Sequence, residues 1–141
     1  MILSEAEIRA MSSLALAHMG DAVFELLVRR EICRRGKLTN GSLHKETVRY
    51  VSAGAQAGFA KKLLPHLSEE ESAVYRRARN SRSHAAPHAV TEGEYHAATA
   101  LEALFGWLYL RENNERIEEL FAIIMEDDHG AGRDRALGSE N

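Results

Sequence analysis

Apolar residues recur three and four positions apart along most of this chain, and they nowhere alternate with polar residues over the length of a strand. This is the period of an α-helix with one buried face, whereas a half-buried β-strand alternates at every second residue. Segment 22–35 shows the helical pattern clearly, because five of its apolar residues share one face: Val23, Phe24, Leu27, Val28 and Ile32. The spacing therefore predicts an all-α domain of about six or seven helices.

Three helix starts are marked by capping boxes, in which serine or threonine is followed three residues later by glutamate: Ser4–Glu7, Ser68–Glu71 and Thr91–Glu94. We expect the first of these helices to extend to Ala17. Gly20 and Asp21 are expected to interrupt or restart it, and Gly36 is expected to end the helix that follows.

Turn-forming residues predict the remaining boundaries. A turn is expected at 38–42 around Asn40–Gly41, followed by one or two helices that end before Pro65. A polar loop is expected at 80–90, between a helix that ends at Arg79 and a long helix that ends at Leu110. With a last helix at 115–125, residues 1–127 form a single predicted domain and residues 128–141 a flexible tail.

Size and composition favour a cytoplasmic protein with one core, since 45% of its 141 residues are hydrophobic. No apolar run approaches the roughly 20 residues that a membrane-spanning helix needs, so we expect no membrane partner. Cys33 is the only cysteine. A chain with one cysteine cannot form an intrachain disulfide, which is typical of a reducing, cytoplasmic compartment.

Charge is divided unevenly along the chain. Residues 28–82 contain 13 lysines and arginines and 5 acidic residues, whereas the rest of the chain contains 5 and 16. The net charge of −3 therefore does not exclude a nucleic-acid partner, because a local basic surface can attract a polyanion. The alternative is that these charges only solvate the outer faces of helices.

Two acidic residues, Asp21 and Glu102, stand among apolar ones. Gly20 adjoins the first and Gly106 lies one helical turn after the second, so another backbone can approach both carboxylates closely. A shared Mg²⁺ ion is one interpretation, since this ion takes only one or two protein carboxylates. The alternatives are that Asp21 caps a helix beginning at Ala22 and that Glu102 pairs with an arginine.

Four arginines occur within seven residues where a predicted helix passes into the following loop: Arg76, Arg77, Arg79 and Arg82. Such a cluster suits phosphate binding, with Asn80 as an additional donor. We expect Lys45 and Arg49 to extend this phosphate-binding surface. The alternative is a solvated helix end, whose arginines favour the negative end of the helix dipole.

The segment 14–23, LALAHMGDAV, and the segment 101–106, LEALFG, resemble the two signature motifs of the ribonuclease III catalytic domain in order and spacing. Arg77–Asn80 and the segment 43–57 resemble the mini-ribonuclease III branch, which has that catalytic domain without a separate double-stranded-RNA-binding domain. The resemblance covers nearly all of residues 14–121. It implies a ribonuclease III-type endonuclease domain.

The full-length family carries two further carboxylates, at positions where this chain has Ala17 and Thr99. The mini branch is similarly reduced, so the resemblance implies an active enzyme in which Asp21 and Glu102 are the catalytic residues and the metal ligands. The implied cofactor is Mg²⁺, with Mn²⁺ as a substitute.

The resemblance also implies a homodimer that cuts both strands of double-stranded RNA. In the mini branch the substrate is precursor ribosomal RNA, whose large-subunit (23S) ends are matured, and a ribosomal protein is a candidate helper. Two other functions agree with the same residues. One is a catalytically inactive RNA-binding module of the same fold, and the other is a helical protein-interaction adaptor that works through its acidic half.

Overall fold

The chain is helical throughout the part that the computed structural model describes, which is residues 1–36, 39–81 and 91–138, with side chains up to residue 126. These ranges contain no strand. They contain seven α-helices and a short 3-10 helix (Leu64–His66): α1 (Glu5–Arg9), α2 (Ser13–Arg35), α3 (Asn40–Val51), α4 (Ala53–Leu63), α5 (Glu69–Arg79), α6 (Glu92–Leu110) and α7 (Asn114–Gly138). The predicted all-α class and the number of helices are confirmed.

The predicted capping residues begin the helices. At α1 and α5 the box is reciprocal; at α1, for example, the Glu7 N–H donates to Ser4 Oγ at 3.1 Å and the Ser4 N–H donates to Glu7 Oε1 at 3.0 Å. At α6 the Thr91 hydroxyl accepts from the Glu94 N–H at 3.1 Å and also donates to the Glu94 carboxylate at 3.0 Å. Each cap satisfies backbone donors that the first turn of a helix leaves free.

Helix α2 continues without a break through Gly20 and Asp21, so the predicted interruption there is wrong. The break lies earlier, where α1 ends at Arg9 and Ser12 caps α2 by accepting the Ala15 N–H at 3.0 Å. The predicted end of α2 at Gly36 is confirmed, and Gly36 has a φ of 70° that favours glycine.

The glycine in the middle of α2 serves a contact between helices. A Cβ on Gly20 would lie 1.5 Å from the carbonyl oxygen of Glu102, and a Cβ on Gly106 would lie 2.0 Å from the carbonyl oxygen of Leu16. Two glycines therefore let the backbones of α2 and α6 touch, as the small residues beside the carboxylates predicted. This crossing brings Asp21 and Glu102 to neighbouring positions.

Two further boundaries differ from the predictions. The prediction of a turn at 38–42 is wrong for the described residues 39–42. Thr39 caps α3 by accepting the Ser42 N–H at 3.3 Å, and Asn40 and Gly41 therefore lie in the first helical turn. Helix α7 continues past Met125 to Gly138, with no proline to stop it. The flexible tail expected over 128–141 stays a prediction. Residues 37–38, 139–141 and most of the loop predicted at 80–90, namely 82–90, lie outside the described part of the chain.

The core is built around the contact of α2 with α6, on which α4 and α5 also pack. Its centre is the fully buried Phe24, whose ring lies 5.6 Å from Phe105, 6.2 Å from Phe59 and 6.3 Å from Phe121 between centroids. These rings come from four helices and meet at angles of 45° to 79°, an arrangement that aromatic side chains favour. None of the described helices has the length and apolar character needed to cross a membrane.

One buried ion pair joins α5 to α7, and the sequence did not predict it. Arg116 donates from Nε to Glu71 Oε2 at 2.8 Å, from Nη2 to Glu71 Oε1 at 2.9 Å and from Nη2 to the His66 carbonyl at 2.7 Å. Burial would raise the pKa of Glu71, but the hydrogen bonds from Arg116 and Ser68 hold that pKa below its usual value. The pair therefore anchors the amino end of the helix that carries the arginine cluster.

Candidate active site

Asp21 and Glu102 line the same cleft, which has a volume of about 620 Å³ and is formed by α2, α5 and α6. Asp21 is exposed, whereas Glu102 is half-buried beside the crossing of α2 and α6. The other described residues along the cleft are mostly small or polar: Ser12, Leu14, Ala15, Ala17, His18, Ala78, Ser81, Tyr95, His96 and Thr99.

The two carboxyl groups interact directly. Burial, the charge of Asp21 and a hydrogen bond with Asp21 together raise the pKa of Glu102 to about 8. Two like charges in one cleft cannot both be stable without a compensating cation, so the pair keeps a proton when no cation is bound. This chemistry fits a divalent ion, which would replace the proton.

The structure contradicts the alternative role of Asp21, and the described residues give no support to that of Glu102. Asp21 lies in the interior of α2, where it cannot cap a helix beginning at Ala22. Among the described arginines, none forms an ion pair with Glu102, and the group that faces Glu102 is Asp21. Asp21 is exposed because the stripe of α2 that is buried passes beside it, through Gly20, Val23 and Phe24.

The chain offers few side chains that could bind a metal ion at this site. Within the described residues no three histidine, cysteine, aspartate or glutamate side chains are placed to hold one ion together. Two carboxylates are enough for Mg²⁺, because this ion keeps several of its waters. Ala17 and Thr99, which stand where the longer family has carboxylates, line the same cleft, and the Thr99 hydroxyl donates to the Tyr95 carbonyl at 3.0 Å.

The carboxyl end of α5 brings part of the arginine cluster beside the cleft, because Ala78 and Ser81 line it. Arg76, Arg79 and Asn80 are exposed in this same segment of the chain, although none of them lines the cleft. Arg77 points to the other side of α5, where its Nη2 donates to the Met11 carbonyl at 3.3 Å. Arg82 lies outside the described residues.

Lys45 and Arg49 are not brought to the cleft. Both are exposed on α3, which packs against α2 and α4. Arg49 forms an ion pair with Glu46 at 2.9 Å. Their predicted contact with RNA would therefore lie at a distance from the two carboxylates.

The sequence analysis missed two histidines that line the cleft. His18 lies on α2 three residues before Asp21, and His96 lies on α6 six residues before Glu102. The position of His18 could have been predicted from the sequence, because residues three or four apart on a helix share one face and His18 lies three residues before Asp21.

The chain is similar in sequence and fold to known proteins. The family described as Ribonuclease III domain matches residues 14–113. A Mini-ribonuclease 3 of Symbiobacterium thermophilum is 44% identical over 107 residues, which cover 76% of this chain and 82% of that protein. A Mini-ribonuclease 3 of a Thermoanaerobacter strain is 39% identical over 125 residues, or 89% of this chain and 88% of that protein. A protein of Fusobacterium nucleatum solved by X-ray crystallography superposes with a TM-score of 0.78 and 36% identity, covering 84% of this chain and 97% of that chain.

Proposed function

The chain belongs to the ribonuclease III family, as an endoribonuclease of its mini-ribonuclease III branch, and we propose that it cleaves double-stranded RNA with a divalent metal held by Asp21 and Glu102. The observation that carries the proposal is the pair of interacting carboxyl groups in an open cleft beside exposed arginines. The metal proposed is Mg²⁺, with Mn²⁺ able to replace it.

Each carboxylate has a defined part in this proposal. Asp21 is the exposed ligand, and Glu102 becomes the second ligand when it gives up its proton. When bound, the ion would compensate negative charge at the phosphate and lower the pKa of a water molecule, so that the water could lose a proton and attack the phosphorus in line. The glycine contact between α2 and α6 fixes the spacing of the two carboxylates, so little reorganisation accompanies binding.

Recognition of the duplex is proposed to depend on shape and phosphates. The deep major groove of A-form RNA is closed to side chains, so contacts follow the backbone across the minor groove. Arg76, Arg79 and Asn80 are the proposed contacts next to the cleft. Contacts further along the duplex are proposed for the remaining basic residues, Arg77, Arg82, Lys45 and Arg49.

A homodimer is proposed because each protomer supplies one carboxylate pair and a duplex has two strands to cut. Leu26 supports this part of the proposal, since it is 68% exposed on the same helix as Asp21. Contact with a second copy would remove this apolar side chain from water.

The physiological substrate proposed is the precursor of large-subunit (23S) ribosomal RNA, whose ends would be trimmed in the cytoplasm, with a ribosomal protein as a helper. The support for this is the similarity to proteins named Mini-ribonuclease 3.

The test is cleavage of a labelled duplex that contains a ribosomal-RNA stem, with Mg²⁺, Ca²⁺ and EDTA side by side and Asp21→Asn as the control. Paired cuts with Mg²⁺ alone that disappear in Asp21→Asn would support the proposal. Binding without cutting, in Mg²⁺ and Mn²⁺ and with several stems, would instead identify an inactive RNA-binding module. Absence of both binding and cutting would favour a protein-interaction adaptor.

A further inference from the structure

The cleft has an electrostatic problem if it is to accept RNA. Two carboxylates line it, and among the described residues along its walls none is lysine or arginine. A phosphodiester that enters brings further negative charge. One bound divalent ion compensates part of that charge, but hydrogen-bond donors fixed in the cleft are needed to hold the phosphates next to the one that is cut.

Two hydroxyl groups of the cleft, those of Thr99 and Ser12, already have hydrogen bonds to the main chain. The Thr99 hydroxyl already donates to the Tyr95 carbonyl at 3.0 Å, so its proton is not directed into the cleft. The Ser12 oxygen is fixed at the start of α2 by the Ala15 N–H at 3.0 Å. Among the described residues that line the cleft, the side chains with a nitrogen donor are His18 and His96.

Both histidines lie on the helices that carry the carboxylates. His18 precedes Asp21 by three residues, a rise of about 4.5 Å along α2. His96 precedes Glu102 by six residues, a rise of about 9 Å along α6. His18 is exposed, and His96 is half-buried with its ring packed edge-on against Tyr95 at 5.8 Å between centroids. Tyr95 therefore restricts the orientation of the His96 ring.

Metal binding is the other task an imidazole could have here. The described residues contain no group of three histidine, cysteine, aspartate or glutamate side chains able to hold one ion. Neither histidine thus completes a ligand set with the two carboxylates. The imidazole of each histidine carries an N–H that can donate to a substrate in the cleft that the histidine lines.

We propose that His18 and His96 bind the RNA strand that lies in the cleft, by donating N–H hydrogen bonds to oxygens of the phosphates that adjoin the cut. This assignment rests on the proposed function of the cleft as a duplex-RNA nuclease site. It makes the two histidines substrate-binding residues of the cleft, in addition to the arginines at the end of α5.

The experiment compares His18→Ala, His96→Ala and the amide variants His18→Asn and His96→Gln with His66→Ala, an exposed histidine that does not line the cleft. Steady-state cleavage of the stem duplex in Mg²⁺ gives KM and kcat. Duplex affinity is measured separately with each substitution added to Asp21→Asn. Mn²⁺ affinity and the melting temperature report on the metal ligands and the fold.

Each alanine variant should raise KM and weaken duplex binding on the order of tenfold, because a hydrogen bond to a charged group is lost, while kcat changes little. The amide variants should recover part of the loss, since they keep an N–H donor. Mn²⁺ affinity, melting temperature and the His66→Ala control should match the unsubstituted protein.

Unchanged KM and affinity in both alanine variants would overturn the assignment. So would a loss of Mn²⁺ affinity that accompanies the loss of cleavage, because the histidines would then be metal ligands. If the unsubstituted protein fails to cut the duplex, the proposed function itself is wrong. If it cuts and the histidine variants cut equally well, only this inference is wrong.

Discussion

In the metal-free protein at pH 7, Glu102 holds a proton, because burial and the neighbouring Asp21 raise its pKa to about 8. A metal ligand must be deprotonated, so Mg²⁺ binding should release about one proton at pH 7. The affinity should rise with pH up to about 8 and become constant above it. Calorimetric titration in buffers of different ionisation enthalpy measures the number of protons released. Glu102→Gln should release none, and equal release from both proteins would contradict the assignment of Glu102.

The same pKa predicts how metal-free stability depends on pH. The folded value of about 8 is above the ordinary value of 4.5, so the folded protein binds the extra proton. The free energy of unfolding should therefore fall as pH rises from about 4.5 to about 8. Above pH 8 the Glu102 carboxyl should contribute little further change. Urea denaturation in EDTA at several pH values measures the effect. Glu102→Gln should show a smaller fall, whereas an equal fall would assign the effect to other groups.

Gly20→Ala tests the contact between helices. The added Cβ would lie 1.5 Å from a backbone carbonyl of α6, so α2 and α6 must separate, at a cost of about 3 kcal/mol or more in the free energy of unfolding. Because the separation also moves Asp21 from Glu102, cleavage should be lost. Gly58→Ala is the matched control, since nothing lies within 4 Å of its added Cβ and the position is inside α4. Denaturation should show Gly58→Ala to be stabilised by about 0.5–1 kcal/mol, and a stable, active Gly20→Ala protein would be incompatible with the crossing described.

At the scale of one helix, α5 is the element that links the cleft to the arginines. Arg79→Ala should weaken the binding of different duplexes about equally. Because one phosphate contact is lost, the slope of log affinity against log salt concentration should become shallower by about one unit. Arg49→Ala should have a smaller effect, since Arg49 is paired with Glu46 on α3 and does not line the cleft. Binding measured from low to moderate salt distinguishes the two. Equal effects would place the duplex across α3 as well as α5.

The helices themselves were largely predictable. Helix starts at Ser4, Ser68 and Thr91 follow from local hydrogen bonds that the capping sequence encodes, and they were predicted correctly. The interruption at Gly20 was not, because a glycine inside a helix has the same local appearance whether it breaks the helix or touches another backbone. The contact of Gly20 with the main chain of Glu102 decides that the helix continues, and the sequence around Gly20 does not show this contact. The Glu71–Arg116 pair was missed for the same reason, since its members are 45 residues apart.

At the scale of the whole molecule, the exposed face of α2 predicts the oligomeric state. Leu26→Glu should convert a dimer into a monomer and lower cleavage, because a charge would be buried in the contact between two copies. Leu64→Glu, an exposed leucine outside α2, is the control and should remain dimeric. Sedimentation velocity measures the state of both. A monomeric unsubstituted protein that cuts both strands would exclude a dimer.

The candidate site was predictable in part from the sequence. Asp21 and Glu102 stood out because carboxylates interrupt apolar segments, and the structure brings them to one cleft. His18 was missed although its spacing from Asp21 was visible, because isolated histidines in helices are common. His96 was missed because only the crossing of α2 with α6 shows that it shares a cleft with the carboxylates. Lys45 and Arg49 show the converse: they belong to the basic segment 28–82 of the sequence, but the structure does not place them at the cleft.

The contact between Gly20 and Gly106 has a consequence for protein engineering. Where side chains separate two helices, each substitution in the core shifts the helices by a fraction of an ångström, and a site that spans them loses its alignment. Here main-chain atoms in contact set the closest approach of the two helices, so changes of side chains on other helices should disturb their separation less. We therefore expect that the part of the aromatic cluster on α4 and α7, Phe59 and Phe121, can be redesigned for heat resistance with the spacing of the two carboxylates preserved, provided that both glycines are left unchanged.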